Sequence, residues 1–209
     1  SLAVAGLEAA ERFDITAAQL ATFTMLQLLV YALMQVPVGL LVDRFGPRSV
    51  ILTGALVMTV AQVGFALADS FVLALLARTL VGSGGAMTFI CLLRLVATWF
   101  PPRRIPFLTQ VSGTLGQSGA ILAAAPMTWA FGALGWTGAY LLSATVGVVL
   151  ALGGVVLLRD APGERHHRGA VMAWAAVRTS LRTSWQHPGT RLGFWIHFST
   201  QFSATSLGL

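Results

Sequence analysis

Five long apolar stretches constrain this chain more than any other feature of its sequence. They cover residues 20–42, 50–68, 72–97, 105–131 and 139–158. A helix needs about 20 apolar residues to cross the hydrocarbon core of a bilayer. Lipid offers no hydrogen-bond partners to the backbone, and the stretches are continuous rather than alternating, so they are predicted to be helices and not strands. The sequence therefore predicts an all-α membrane protein.

The composition supports lipid as the main solvent. Of the 209 residues, 56% are hydrophobic and 10% are charged, whereas a soluble domain carries about 25% charged residues. The formal net charge of +6 would suggest nucleic acid as the partner of a soluble protein. The single cysteine, Cys91, excludes an internal disulfide and a site with several cysteine ligands.

The arginines are distributed unevenly between the two sides of the predicted membrane. If residues 1–7 end a truncated first span, only Arg12 falls in a loop on one side. The other side receives ten arginines, which are Arg44, Arg48, Arg103, Arg104, Arg159, Arg165, Arg168, Arg178, Arg182 and Arg191. Positively charged loops stay in the cytoplasm. The pattern predicts a multi-pass protein with a cytoplasmic central loop and excludes nucleic acid as a partner. Because every basic residue is an arginine among many Ala, Gly and Val, a bacterial cytoplasmic (inner) membrane is expected.

The chain divides into three predicted regions. Residues 1–158 form a transmembrane bundle, residues 159–192 form the central loop, and residues 193–209 begin another span. Within the loop an apolar stripe has helical spacing and is flanked by arginines. The stripe consists of Trp174, Val177, Leu181 and Trp185. It predicts an amphipathic helix, for which packing as a linker is favoured over lying on the membrane surface.

One loop carries a recognisable motif. After the predicted second span the chain reads Gly39-Leu40-Leu41-Val42-Asp43-Arg44-Phe45-Gly46-Pro47-Arg48. This resembles the signature loop of the major facilitator superfamily, in spacing and in position between the second and third spans. In that family the loop holds two helical bundles together in the outward-open state. The resemblance implies that Gly39, Asp43, Arg44, Gly46 and Arg48 form a gating loop, although Pro47 replaces a basic residue of the family pattern.

A second motif in the fourth span strengthens the resemblance. It reads Arg78-Thr79-Leu80-Val81-Gly82-Ser83-Gly84, and many family members have Arg, three residues, Gly, one residue and Gly here. The family implies two bundles of six helices, of which this chain would hold the N-terminal bundle, with its first helix truncated, and the start of the seventh helix. The segment 99–104 also looks like that of bacterial anion and organophosphate porters.

Several polar residues within the spans are candidates for contact with a solute. Arg78 is costly to bury, so it should face a solute, a coupling site or a structural acid. On the second and fifth spans, polar side chains with helical spacing should line a cavity or bond another helix. The full set of solute candidates is Gln27, Tyr31, Gln35, Arg78, Gln110, Thr114, Gln117, His197 and Gln201. The small residues Gly82, Gly84, Gly116 and Gly119 are predicted to let helices pack closely.

These features predict a secondary active transporter that works by alternating access between two bundles. Its expected partners are a small-molecule solute, the lipid bilayer and the missing second bundle. An anion is the favoured solute class because the charges within the spans, Arg78 and Arg94, are both positive. Proton coupling, which His197 could provide, remains open. The alternatives are a membrane sensor on the same fold and a drug exporter. No enzyme activity, cofactor or metal site is expected.

Overall fold

The computed structural model describes residues 2–160 and 174–206. Within these ranges the chain is helical and contains no strand, which confirms the predicted all-α class. The chain forms two compact units, residues 1–169 and 170–209. The helices are α1 (Leu2–Phe13), α2 (Ala17–Leu33), α3 (Gln35–Phe45), α4 (Pro47–Leu67), α5 (Phe71–Trp99), α6 (Ile105–Leu122), α7 (Ala124–Leu157), α8 (Trp174–Gln186) and α9 (Pro188–Ser206), with a 3-10 turn at Pro102–Arg104.

Helices α2 and α3 together occupy the first predicted apolar stretch, and they meet at an angle of 46°. Pro37 explains the break. Proline has no backbone N–H and its ring clashes with the carbonyl four residues earlier, here that of Leu33. The regular hydrogen bonds therefore stop at Met34, whose N–H donates to the carbonyl of Val30. The predicted span is a bent pair of helices rather than one straight helix.

Helices α4 and α5 are single helices of membrane length, as predicted. A one-residue turn connects α3 to α4, because Gly46 adopts φ 81°, which a residue with a side chain rarely adopts. Pro47 then begins α4, where its missing N–H would have no intrahelical partner. At the start of α5, the side chain of Ser70 accepts a hydrogen bond from the backbone N–H of Leu73.

The remaining apolar stretches lie in one helical run of 56 residues, from Pro102 to Leu157. This run contains the predicted stretch 105–131 and all but the last residue of the stretch 139–158. Between them the backbone breaks from helical geometry at Gly135, with φ 65° and ψ −173°. A smaller break between α6 and α7 precedes Pro126, again where proline removes a helical hydrogen bond. Of the described helices, three can cross a membrane by length and composition, or four if the bent pair counts as one span.

The core of the first unit consists of two clusters at opposite ends of its helices. The aromatic cluster gathers where α1, α4 and the first half of α7 end and α2 and α5 begin. Its rings are Phe13, Phe23, Phe65, Phe71, Phe131, Trp136 and Tyr140. An aliphatic cluster lies toward the other end, between α3, α4 and α5. Its buried members are Val38, Val42, Val50, Ala86, Met87 and Cys91.

Glycines allow α5 to pack closely against its neighbours. A Cβ atom at Gly82 would lie 2.6 Å from the backbone oxygen of Gln27 on α2. A Cβ at Gly84 would lie 2.7 Å from the backbone oxygen of Gly54 on α4. Such distances exclude any side chain unless the helices move apart. By contrast, no described atom lies within 4 Å of a Cβ at Gly116 or Gly119 in α6, so their role in packing remains a prediction.

The second unit is a pair of helices, α8 and α9, with only His187 between them. Helix α8 lies where the amphipathic helix was predicted. Helix α9 begins at Pro188, five residues before the predicted start of a span at residue 193. The polar beginning of the central loop, residues 161–173, lies outside the described residues. The division into three functional regions remains a prediction.

The glycine contacts predict a selective loss of stability in Gly82→Ala. The added methyl would meet the α2 backbone, and overpacking of this kind costs roughly 1–3 kcal/mol. We expect a lower melting temperature for the purified protein in detergent. Gly153→Ala in α7 is the matched control, because nothing lies within 4 Å of a Cβ there. Equal melting temperatures for both variants would contradict the close approach of α2 and α5.

Candidate functional site

Arg78 is a buried cation surrounded by aromatic rings. It lies seven residues into α5, which is about 10 Å along the helix axis. Its side chain is 3% exposed. The guanidinium carbon lies 4.2 Å from the ring centroid of Phe65 and 5.9 Å from that of Tyr140. A cation over the face of a ring is stabilised by about 0.5–2 kcal/mol, so these rings offset part of the cost of burial.

The hydrogen bonding of Arg78 is incomplete. One terminal nitrogen, Nη2, donates to the Tyr140 hydroxyl at 3.4 Å. The Nε atom is buried and has no hydrogen-bond partner among the described residues. No carboxylate in the described part of the chain forms an ion pair with Arg78. The site therefore presents positive charge and at least one donor that the surrounding rings do not satisfy.

The rings around Arg78 hold one another in fixed orientations. The Tyr140 ring is 4.9 Å from Phe65 and 4.7 Å from Trp136, both at near edge-to-face angles. The indole nitrogen of Trp136 donates to the backbone oxygen of Phe65 at 3.3 Å. The hydroxyl of Thr137 donates to the backbone oxygen of Ala66 at 3.1 Å. These bonds attach the second half of α7 to the end of α4, so Tyr140 reaches Arg78 from a third helix.

Arg12 closes the same end of the bundle. Its Nε and Nη2 atoms donate to the backbone oxygen of Ala68, which follows the last turn of α4. Its guanidinium lies 5.7 Å from the Trp136 ring centroid and 3.8 Å from an oxygen of exposed Asp69. Cations favour helix C-termini because the last carbonyls lack partners. Arg12 thus links α1 to α4 and α7 above the aromatic cluster.

Two members of the polar stripe predicted on the second span, Gln27 and Tyr31, contact α5. Gln27 lies against Gly82, and the ring of Tyr31 lies 3.8 Å from the Cβ position of Gly85. Gln35 donates from Nε2 to the backbone oxygen of Tyr31 at 3.3 Å. All three side chains are half-buried. Since Gly82 is one turn beyond Arg78, the stripe begins close to the buried arginine along the α5 axis.

The other predicted solute residues are not brought to Arg78 by any described contact. Gln110, Thr114 and Gln117 in α6 are exposed, and the hydroxyl of Thr114 donates to the backbone of α6 itself. His197 and Gln201 belong to α9, but their side chains lie outside the described residues. Contact of these residues with a solute remains a prediction.

The signature loop is tied to α5 by one ion pair. A carboxylate oxygen of Asp43, near the end of α3, lies 3.4 Å from Nη2 of Arg94. Both side chains are about half exposed. Arg94 therefore has an acidic partner within the described part of the chain. The guanidinium of Arg44 lies 4.9 Å from the ring of its neighbour Phe45, and a Cβ at Gly39 would contact nothing within 4 Å.

Arg48 and Asp160 form a reciprocal helix cap. The Asp160 carboxylate accepts from the backbone N–H of Arg48 in the first turn of α4, at 2.7 Å. The Arg48 guanidinium donates to the backbone oxygen of Val155 in the last turn of α7, also at 2.7 Å. Each side chain places its charge at the helix end of opposite partial charge. The indole of Trp99 adds a bond to the backbone oxygen of Arg159 at 3.2 Å.

Arg78 does not line either of two described cavities. One of about 290 Å³ between α3, α4 and α5 is lined by Leu41, Phe45, Ser49, Val50, Thr53 and Met87. The other, of about 460 Å³, lies between α4, α5 and α7, where Gln62 donates to the hydroxyl of Ser143 at 3.2 Å. Neither lining includes a predicted solute residue. Both are mostly apolar, which is typical of surfaces that meet lipid.

No local sequence pattern indicates the rings around Arg78 or the role of Asp160. The rings of Phe65 and Tyr140 come from two different helices, α4 and α7, and no motif links them. The available signal was the spacing of Trp136 and Tyr140, which are four residues apart and therefore share a helix face. Asp160 stands at a polar helix end, where a carboxylate gives no indication of the distant helix that it caps.

The reciprocal cap predicts that Ala and Asn at position 160 reduce stability to different extents. Asp160→Ala removes the acceptor from the first turn of α4, and loss of such a cap costs about 1 kcal/mol. Asp160→Asn keeps an oxygen acceptor and should therefore lose less stability than Asp160→Ala. Hydrogen exchange of the segment around Arg48 and the melting temperature would measure the effect. Asp69→Ala, at a carboxylate that is 92% exposed, is the control. No faster exchange in Asp160→Ala would contradict the cap.

Comparison with known proteins identifies the family. Residues 1–209 match the family model of the Major Facilitator Superfamily. The nitrate/nitrite transporter NrtP of Nostoc punctiforme is 31% identical over 71% of this chain and 31% of its own length. The probable L-galactonate transporter of Escherichia coli is 29% identical over 77% of this chain and 35% of its own length.

A third relative has a different described role. The tetracenomycin C resistance and export protein of Streptomyces glaucescens is 31% identical over 66% of this chain and 26% of its own length. The chain thus spans about a third or less of the length of these relatives. The match over residues 1–209 confirms the family that the signature loop predicted: this chain belongs to the major facilitator superfamily.

Proposed function

We propose that the full-length protein is a secondary active transporter that carries a small solute by alternating access. Residues 1–158 would form the first bundle, residues 159–192 the connection, and residues 193–209 the beginning of the second bundle. The family and the transporter names of several relatives support this proposal. The bundle fits the role because its helices are closely packed at glycines and can move as one body.

The proposed location is the bacterial cytoplasmic membrane, with the connection between the bundles in the cytoplasm. The support is the excess of arginines in the loops on one side, where Arg12 is the only loop arginine on the other. The proposed activity is transport and not catalysis. A sensor on the same fold remains the alternative, and uptake by the full-length protein against a panel of solutes would distinguish the two.

We propose that the solute is an anion. The main support is the buried guanidinium of Arg78, which has no carboxylate partner and has a donor without a hydrogen-bond partner among the described residues. Burying a cation without a charged partner is costly, and an anion that reached Arg78 would remove that cost. The described geometry is closed, since Arg78 is 3% exposed. Solute contact therefore requires the rings of Phe65 and Tyr140 to move aside in another access state. Two relatives have names that specify anions, nitrate/nitrite and L-galactonate.

A nearby carboxylate provides the structural alternative. Glu8 on α1 is exposed and lies within electrostatic range of Tyr140. If Glu8 moved toward Arg78 in another state, the pair could be structural and no anion would be required. Double variants at these two positions separate the alternatives, because a structural pair loses its mutual dependence when both partners are removed.

Arg78 variants test the anion proposal. Arg78→Gln should lower kcat/KM for an anionic solute by roughly 10- to 100-fold, since a hydrogen bond to a charged group contributes about 1.5–3 kcal/mol. Arg78→Lys should retain part of the activity, because it keeps the charge but loses the planar fork. Uptake into proteoliposomes, with and without a proton uncoupler, is the measurement. Arg103→Gln, in an exposed loop, is the control.

Two outcomes would contradict the proposal. One is undiminished anion transport by Arg78→Gln. The other is transport of cations alone, which would favour the drug-exporter alternative that the tetracenomycin exporter suggests. Equal loss in Arg78→Gln, Glu8→Gln and the double variant would assign Arg78 to a structural pair.

We further propose that the signature loop gates transport through Asp43. Its bond to Arg94 fixes the end of α3 against the end of α5, where the second bundle would meet the first. Pro47 leaves Arg44 and Arg48 as the basic residues of the loop, and Arg48 is engaged with α7. Gating in this protein would therefore depend mainly on Asp43 and Arg44.

Asp43→Asn tests the gate. The variant keeps the size of the side chain and removes its charge, so the Arg94 pair is weakened while the fold is preserved. We expect a several-fold lower transport rate with unchanged protein level in the membrane. Asp69→Asn is the matched control, because Asp69 is an exposed acid with a long contact to Arg12. A parental rate in Asp43→Asn would show that this loop does not gate.

A further inference from the structure

The connection between α8 and α9 is a fixed elbow. The backbone oxygen of His187 accepts from the N–H groups of Thr190 and Arg191, and its N–H donates to the backbone oxygen of Ser184. The Trp185 ring meets the Phe194 ring edge to face at 5.2 Å. Because this contact lies within the second turn of α9, it holds the end of α8 beside the first turns of α9.

The elbow has a strong excess of positive charge. Residues 174–206 contain three arginines and no Asp or Glu. Arg178, Arg182 and Arg191 are exposed. On α8, Arg178, Arg182 and Trp185 follow i, i+4 and i+7, so they share one face. We call Arg178, Arg182, Trp185 and Arg191 the basic elbow.

We propose that the basic elbow binds the headgroups of anionic phospholipids at the membrane surface. The inference rests on the proposed placement of α9 as the beginning of a span. If α9 enters the bilayer, the Trp185–Phe194 contact keeps α8 at the level where α9 enters. Tryptophan favours that level because its ring is apolar and its N–H is polar. Arginines there meet lipid phosphates, which accept bidentate hydrogen bonds from guanidinium groups.

Charge complementarity favours lipid over the first unit as the partner of this surface. The loops of the first unit that are predicted to share its side of the membrane are also rich in arginine. Two acids at those loop ends, Asp43 and Asp160, already bond Arg94 and Arg48. A basic surface gains little from such a partner, whereas an anionic leaflet strengthens binding about fivefold for each nearby arginine. Three arginines would give about a hundredfold preference for anionic lipid, which salt would reduce.

Site-specific fluorescence in the full-length protein tests the proposal. A bimane label is attached at Leu181→Cys, which is one helical turn from both Arg178 and Trp185, in a Cys91→Ser background. The protein is placed in nanodiscs of phosphatidylcholine alone or mixed with phosphatidylglycerol. We expect several-fold stronger quenching by a nitroxide on the lipid headgroup in the mixture. High salt, or Gln at positions 178, 182 and 191 together, should abolish the difference.

Two control labels make the result interpretable. A label at Thr183→Cys, on the opposite face of α8, should stay accessible to a water-soluble quencher in both lipids. The fluorescence of a label at Leu192→Cys should be quenched by the lipid in both nanodisc compositions, whatever the charge of the lipid. If the Leu192 label is instead accessible to the water-soluble quencher, the placement of α9 as a span is wrong. Equal quenching at Leu181 in both lipids, or no effect of the triple Gln variant, would overturn the lipid proposal and indicate a protein contact.

Discussion

Backbone hydrogen bonding in an apolar solvent is the constraint on which this structure depends. A chain with so few charged side chains must satisfy its N–H and C=O groups internally, and the helix does so within each segment. Interruptions then occur where the sequence forces them. Pro37 and Pro126 each remove a helical bond, and Gly46 and Gly135 adopt a positive φ. These four residues account for the breaks between α2 and α3, between α3 and α4, between α6 and α7, and within α7.

Close packing around α5 determines where the buried charge lies. Gly82 and Gly84 bring the backbones of α2 and α4 against α5, which leaves Arg78 one turn away without access to lipid or water. Aromatic rings rather than a carboxylate surround it. A cation in such surroundings retains unsatisfied donors, and this makes Arg78 both the most costly residue of the described bundle and the best candidate for meeting a negative group.

The opposite end of the bundle is organised by charges at helix ends. Asp160 caps α4, Arg48 caps α7, and Asp43 pairs with Arg94 of α5. Four helices are thereby connected near the loop that the family resemblance implicates in gating. These contacts link the signature loop to the end of α7. Aromatic rings around a buried arginine thus characterise one end of the bundle, and helix caps with an ion pair characterise the other.

The sequence by itself determined the helical class, the approximate extent of the spans and the family. Hydrophobic length and the spacing of Gly39, Asp43 and Gly46 are local properties that can be read along the chain. It did not determine the partners of Arg78, since Phe65 and Tyr140 are 13 and 62 residues away and no local pattern selects them. It likewise left Arg94 without its Asp43 partner, and it could not link Arg48 to Asp160 across 112 residues. These choices depend on which helix faces meet, and only the tertiary structure decided them, because helix packing is set by the joint shape of side chains from distant segments.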